Sequence, residues 1–231
     1  MPMLDPVRRR YDVGAAGPGN FAGFRKHVIE RSERPIRAYL DVSHAGIFAF
    51  PPNIMVGESQ DLRLMDPAVC AKVAWDNRDV IRGVKIRIGL NTSSANGMVP
   101  SHYAIEAAER AGPRVMCHVD RPPPRNGDIL EALRPGGVLT HCYRPFPSAP
   151  VHADGRVRGA FCSISATARA RLPSALARAV LAGGFPPDVI YSDVHVLCID
   201  GPAFGRVAAT YVGQPTGCRD GQHGYTRKGR K

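Results

Sequence analysis

The sequence predicts an α/β fold built on a parallel sheet, most simply a (β/α) barrel. Two observations predict it. Short apolar runs that read as strands buried on both faces alternate with helical segments along the 231 residues. Four of those runs end or break at a polar residue: Val84-Lys85-Ile86, Val115 to His118, Val138 to His141 and Val189 to Asp193. The C-terminal mouth of a parallel strand is where α/β folds place their chemistry.

The elements follow in order. Phe21 to Arg31 reads as a helix, and Arg37 to Val42 as the strand after it. Asp66 to Asp76 is helical and leads to a strand over Val80 to Ile88. Tyr103 to Arg110 is a helix before the strand ending at His118, and Asp128 to Leu133 a short helix before the strand ending at His141. Leu176 to Ala182 is the helix before the strand ending at Asp193. Proline and glycine clusters at 121–125 (RPPPR) and 134–137 (RPGG) mark turns between them. Lys85 and His118 are 33 residues apart and His118 and His141 are 23 apart, each about one strand-helix unit. His141 to Asp193 is 52 residues, about two units, and a short strand over Gly159 to Ile164 fits between them. With Lys85 at the end of strand four, the histidines end strands five and six, and Asp193 ends strand eight.

Composition bounds the rest. At 44% hydrophobic content the chain can bury one core. No apolar stretch approaches the roughly 20 residues of a membrane span, and Met1 to Asp12 lacks the apolar centre of a signal peptide. The six cysteines are scattered without a CxxC pair, which fits free thiols in a reducing cytoplasm. Of the net charge of +11, +5 falls between Gly205 and Lys231, a stretch with no helical or strand period. That is a basic irregular tail after a domain spanning 1–204, not a cationic stripe interleaved with aromatics, so no nucleic-acid partner is expected. No membrane partner is expected either, and a homo-oligomer stays open.

A lysine, two imidazoles and a carboxylate at one barrel mouth point to a metal site. Imidazole is a good neutral donor to zinc, while a protonated lysine is a poor one. Singly, a strand-end lysine is usually solvated and a histidine after an apolar run is usually a hydrogen-bonded core residue. The shared order and spacing of all four carry the metal reading.

Four strings make the reading specific: GAAGPGNFAGF (14–24), NRDVIRGVKIRIG (77–89), LTHC (139–142) and GFPPDVIYSDVH (184–195). They resemble the amidohydrolase superfamily, in its branch of dihydroorotase-like deacetylases, over residues 12–160 and 179–204. The resemblance implies an incomplete TIM-type (β/α)8 barrel that hydrolyses an amide or ester, removing an acyl group from a small substrate. It implies that Lys85 is carboxylated and bridges two divalent metals, usually zinc. His118 and His141 would hold the second metal, and Asp193 would bind the first and shuttle protons. Two such ions bring the pKa of a shared water toward about 7 and polarise the scissile carbonyl. His195 either lines the site as a substrate-binding residue or packs beneath it.

The departures matter as much. The family's first strand carries a His-x-His pair, and no such pair occurs in this sequence. Strand one is therefore expected to be lacking. The Asp-Ile-Gly-His-Gly segment expected after strand seven is replaced by residues 160–174. Read one base out of register, the codons of 161–174 can encode that missing segment, and those of 6–11 a plausible second strand. The chain thus reads as a truncated, frame-disrupted member. The rival reading is an inactive remnant, or a binding module keeping one metal on Lys85, His118 and His141.

Overall fold

The computed structural model describes residues 10–47, 58–143, 149–159, 161, 165–169, 174–185 and 189–191. Strand β1 (Arg10–Val13) leads through a glycine loop into helix α1 (Phe21–Phe24), which continues as a π-helical stretch over Arg25–Ile29. There follow β2 (Ile36–Asp41), α2 (Pro67–Asp76), β3 (Ile81–Ile88), α3 (Val99–Ala111), β4 (Arg114–Val119), α4 (Asn126–Ala132) and β5 (Val138–Thr140). β6 (Ser165–Arg169), α5 (Ser174–Ala182) and β7 (Val189–Tyr191) complete the described elements.

The seven strands pair in chain order, every pair parallel. Parallel neighbours joined by helical crossovers are the repeating unit of a (β/α) barrel. The architecture matches an incomplete TIM-type barrel. Lys85 lies on the third strand, His118 on the fourth and His141 just past the fifth. That is the predicted order, numbered one lower among the described strands.

Local chemistry sets the element ends. Asp66 caps α2 by accepting from Ala68 N–H at 2.8 Å and Val69 N–H at 3.1 Å, with Pro67 in the first turn. α3 stops at Gly112, whose φ of +85° most side chains disfavour. In β3, Val84, Ile86 and Ile88 alternate with Lys85 and Arg87, so the apolar set takes one face and the cations the other. The apolar set is fully buried, in one core with Cys70 and Ala74 of α2 and Ala104 and Ala107 of α3. Cys70, Cys117 and Cys142 are buried thiols in no disulfide, and burial pushes Cys70 and Cys117 up to about 12. Among the described residues, no helix is long and apolar enough to cross a membrane.

Three expectations need correction. The strand placed at Gly159–Ile164 is instead Ser165–Arg169, pairing Ser165 with Val138 and Ala166 with Leu139. Phe161, which made the earlier stretch look strand-like, is a core residue (2% exposed) with its ring edge-on to Phe185 at 6.0 Å. Lys85 does not end its strand, which runs on through Arg87 to Ile88, and His118 is followed by one more strand residue. The helix predicted over Phe21 to Arg31 is α-helical only to Phe24. Glu30 N–H then donates to the Arg25 carbonyl at 2.9 Å, the five-residue step of a π-turn. The tail 205–231 and the 204/205 boundary lie outside the described residues.

Candidate metal centre

Lys85 occupies a slot shaped by the first loop. It is 2% exposed, and its Nζ lies 3.5 Å from Thr140 Oγ1. Gly14, at φ +102°, packs directly on its stem: a Cβ there would fall 2.6 Å from Lys85 Cγ. Asn20 locks this loop by accepting from Gly17 N–H at 2.9 Å and donating to the Ala45 carbonyl at 2.8 Å. Gly14 is thus a wall of the lysine slot, while Gly17 and Gly19 of GPGNFAGF pack on the turn at Ser43–Gly46.

The two histidines come together. The His118 ring, on β4, meets the His141 ring edge-on with centroids 4.3 Å apart. His141 holds φ +57°, a left-handed backbone that a non-glycine residue adopts only when its surroundings enforce it. That bend takes the chain out of β5 as its side chain meets His118. Thr140, just before it, pairs in register with His118 and contacts Lys85 Nζ, so three successive strands supply one cluster.

Carboxyl groups lie around the lysine. Asp12 accepts from Gly14 N–H at 3.2 Å and Ala15 N–H at 3.1 Å. Burial nevertheless holds its carboxyl above the ordinary range, opposed by those two bonds and by the Lys85 charge. Asp41, the register partner of Lys85, is fully buried; Oδ1 accepts from Ser43 N–H at 2.8 Å, and among the described residues Oδ2 has no hydrogen-bond partner. Burial and the nearby Glu58 raise it well above the usual carboxylate range, against the pull of Ser43 N–H, Lys85 and Arg87. Glu58 in turn forms an ion pair with Arg87, Nη1 to Oε1 3.0 Å, with side chains 4% and 20% exposed.

Of the predicted site residues, the fold brings Lys85, His118 and His141 into one neighbourhood; Asp193 and His195 lie outside the described residues. Among the described residues, no group of three or more His, Cys, Asp or Glu side chains forms a metal cage. Two adjacent imidazoles near buried Lys85 are donors of a kind that would suit one divalent ion. Sequence reasoning missed Arg87, Asp41, Glu58 and Thr140. Arg87 had a signal, because Lys85-Ile86-Arg87 is a period-two pattern that puts both cations on one face. Glu58 had none, standing in a loop with no periodicity.

Comparison with known proteins places the chain. No family model matches it. It is 31% identical over 143 residues to a deacetylase of Agrobacterium fabrum, covering 62% of this chain and 34% of that protein. It is 33% identical over 143 residues to a deacetylase of Brucella anthropi, covering 62% and 35%. Among solved structures, a dihydroorotase superposes with a TM-score of 0.75 at 28% identity, over 86% of this chain and 54% of that one. Over part of its length the chain is similar to deacetylases and to a dihydroorotase. An adenine deaminase superposes with a TM-score of 0.73 at 20% identity, over 82% of this chain and 52% of that one, a likeness of fold. The chain spans about a third of the length of the curated relatives it matches and about half of the solved chains.

Proposed function

We propose that this chain carries part of a metal-dependent hydrolase site that removes an acyl group from a small amide or ester. The observation that carries the reading is the ring pair of His118, on the strand beside that of buried Lys85, and His141, just past the next strand, in a relative of deacetylases. Lys85, as its carbamate, with His118 and His141 would hold one divalent ion, zinc by the nature of the donors. When bound, the ion supplies a Lewis acid that polarises the scissile carbonyl and makes a water more acidic.

The chain's own residues do the rest. The slot around Lys85 keeps water from its stem, and Thr140 holds the Nζ end in place. Asp193, two residues past β7, would take a proton from the attacking water and deliver it to the leaving amine or alkoxide. His195 would line the substrate. A binuclear site would need the ligands of a His-x-His strand, which no copy of this sequence carries, so a homo-oligomer would not complete it. The buried free thiols support a reducing compartment, the cytoplasm. Neither nucleic acid nor membrane enters this proposal as a partner.

The absence of a His-x-His pair favours a second reading: a module that holds one ion without turnover. One experiment separates the two, zinc content by elemental analysis beside hydrolysis of acetyl esters and acetyl amides. One ion with hydrolysis supports the enzyme, one ion without it supports the module, and no ion overturns both.

A further inference from the structure

At the end of the sheet away from the proposed ligands, the strands begin in a belt of arginines. Arg10 opens β1, Arg37 and Arg82 are the second residues of β2 and β3, and Arg114 opens β4. These four strands are neighbours, about 4.8 Å from one to the next, so the cations lie along one rim. The acids near that rim are already paired: Asp76 with Lys72 at 2.5 Å, Asp79 with Arg25 at 2.8 Å, and Glu109 with Arg134. Among the described residues, Arg37, Arg78, Arg82 and Arg114 have no carboxylate partner.

Two cavities flank the turn from α3 into β4. One, of about 240 Å³, is lined by Arg78 and Arg82. The other, of about 250 Å³, is lined by Arg114 and Arg134, with Glu109 as the carboxylate in its wall. Gly112 and Pro113 line both, so the cavities are two lobes of one groove across that turn. The saddle between them is open, since a Cβ at Gly112 would meet nothing within 4 Å.

The cations are braced without being neutralised. Arg82 donates to the carbonyls of Arg78 at 3.3 Å and Asp79 at 3.2 Å. Arg78 donates to the Trp75 carbonyl at 3.0 Å, with its guanidinium 4.7 Å from the centre of the Trp75 ring. Each guanidinium has five N–H donors, so both keep donors for a ligand. The C-terminus of α3 opposes an anion here, and Gly112 N–H satisfies one of its carbonyls, that of Ala108, at 2.7 Å. A helix end is worth about half a charge, which with Glu109 is outweighed by the four guanidiniums of the groove.

We propose that this two-lobed groove binds a chain of phosphates, free or as the tail of a nucleotide. Arg78 and Arg82 hold one end of the chain, and Arg114 and Arg134 the other. Phosphate oxygens match guanidinium forks, and successive phosphates offer an anion to each lobe where a single carboxylate reaches only one. The groove lies at the other end of the strands from Lys85, His118 and His141, so it is a second site and does not depend on the hydrolase reading.

The test is calorimetric titration of the full chain with tripolyphosphate, orthophosphate and adenosine triphosphate, at a fixed ionic strength of about 0.15 M. The parent is expected to bind tripolyphosphate saturably and at least about 10-fold more tightly than orthophosphate, because the longer chain engages both lobes. Tighter binding of adenosine triphosphate than of tripolyphosphate assigns the groove to a nucleotide; equal or weaker binding assigns it to a free phosphate chain. Arg82→Gln combined with Arg114→Gln takes one cation from each lobe and should weaken tripolyphosphate at least about 10-fold. Arg63→Gln combined with Arg121→Gln removes the same charge from the loops after β2 and β4, at the far end, and should change affinity less than about 2-fold. Folded His118→Ala should bind as the parent does, which separates the groove from the ion site. Should the Arg82 change unfold the chain, Arg114→Gln alone decides, with an expected loss of about 3-fold or more. No saturable binding, equal affinity for tripolyphosphate and orthophosphate, or an equal loss in the two double variants would overturn the groove. So would an unchanged affinity in the variant that decides, or lost binding in His118→Ala.

Discussion

The sheet around β3 and β4 is built differently from the sheet around β6 and β7. β3 and β4 pair over six positions, Gly83–Ile88 against Arg114–Val119. β5 and β6 pair over two and β6 and β7 over three. β3 reads IRGVKIRI, branched apolar residues on one face and cations on the other, while β6 reads SATAR. The first is a strand by its own preference as well as by its neighbours; the second has little such preference. The proposed ion ligands, which must hold still, belong to the well-specified side, whereas the proposed proton carrier Asp193 follows the weakly specified one in the chain.

The largest effects should divide along that line. His118→Ala or His141→Ala should take the bound ion from at most one per chain to none, measured by elemental analysis after dialysis. Lys85→Ala should do the same, and a short-chain carboxylate in the buffer should restore part of the lost function by standing in for the carbamate. Asp193→Asn should leave the ion in place and lower hydrolysis roughly 100-fold. If Asp193→Asn also releases the ion, both halves hold it jointly and the division fails.

Stability should show the same asymmetry at smaller scale. Ile86 is fully buried between neighbours on β4 and the helices, so Ile86→Ala should cost about 2–5 kcal/mol in urea unfolding. Thr167→Ala on β6 should cost under about 1 kcal/mol. A Thr167 effect as large as that of Ile86 would mean that β6 is as strongly specified as β3. Gly14→Ala tests the slot itself: at φ +102° and with its new methyl 2.6 Å from Lys85 Cγ, it should destabilise the fold by about 1–3 kcal/mol and weaken ion binding.

How much was legible follows from the same physics. β3, β4 and α2 could be read because alternation, a capping Asp66 and Pro67 all point one way. Lys85, His118 and His141, the proposed ion ligands, stood out because they interrupt apolar runs at barrel spacing, and the fold sets the two histidine rings together. The strand at Ser165–Arg169 could not, because small and polar residues carry no period and Phe161 drew the reading upstream. A shifted reading frame across 161–174 is our proposal for that break, tested by the nucleotide sequence of the gene. Arg87 went unread because an Arg at a strand end is ordinarily solvated; only its pairing with Glu58 sets it apart. Glu58 and Asp41 depend on contacts made across the fold, which no local pattern encodes.

The smallest expected effect probes a link within the well-built half. Arg25, on the π-helical stretch after β1, grips Asp79 with two bonds, 2.9 Å to Oδ1 and 2.8 Å to Oδ2, tying that segment to the turn before β3. The Arg25 hydrogen bonds hold the Asp79 carboxyl below its ordinary range. A carboxyl depressed in the folded state stabilises the fold above its unfolded value near 3.8, and that contribution fades as pH falls through the lower folded value. The pair is exposed, Asp79 at 57% of its side chain, so screening limits it to about 0.5 kcal/mol. Asp79→Asn should therefore lower stability slightly at pH 7, and less so with added salt. The difference from the parent should close as pH drops below the Asp79 range. Urea midpoints at pH 7 and pH 3, with and without 0.5 M salt taken as a rough screening concentration, would measure it. A loss at pH 7 that added salt leaves untouched would mean that Asp79 acts through the shape of the turn rather than through its charge.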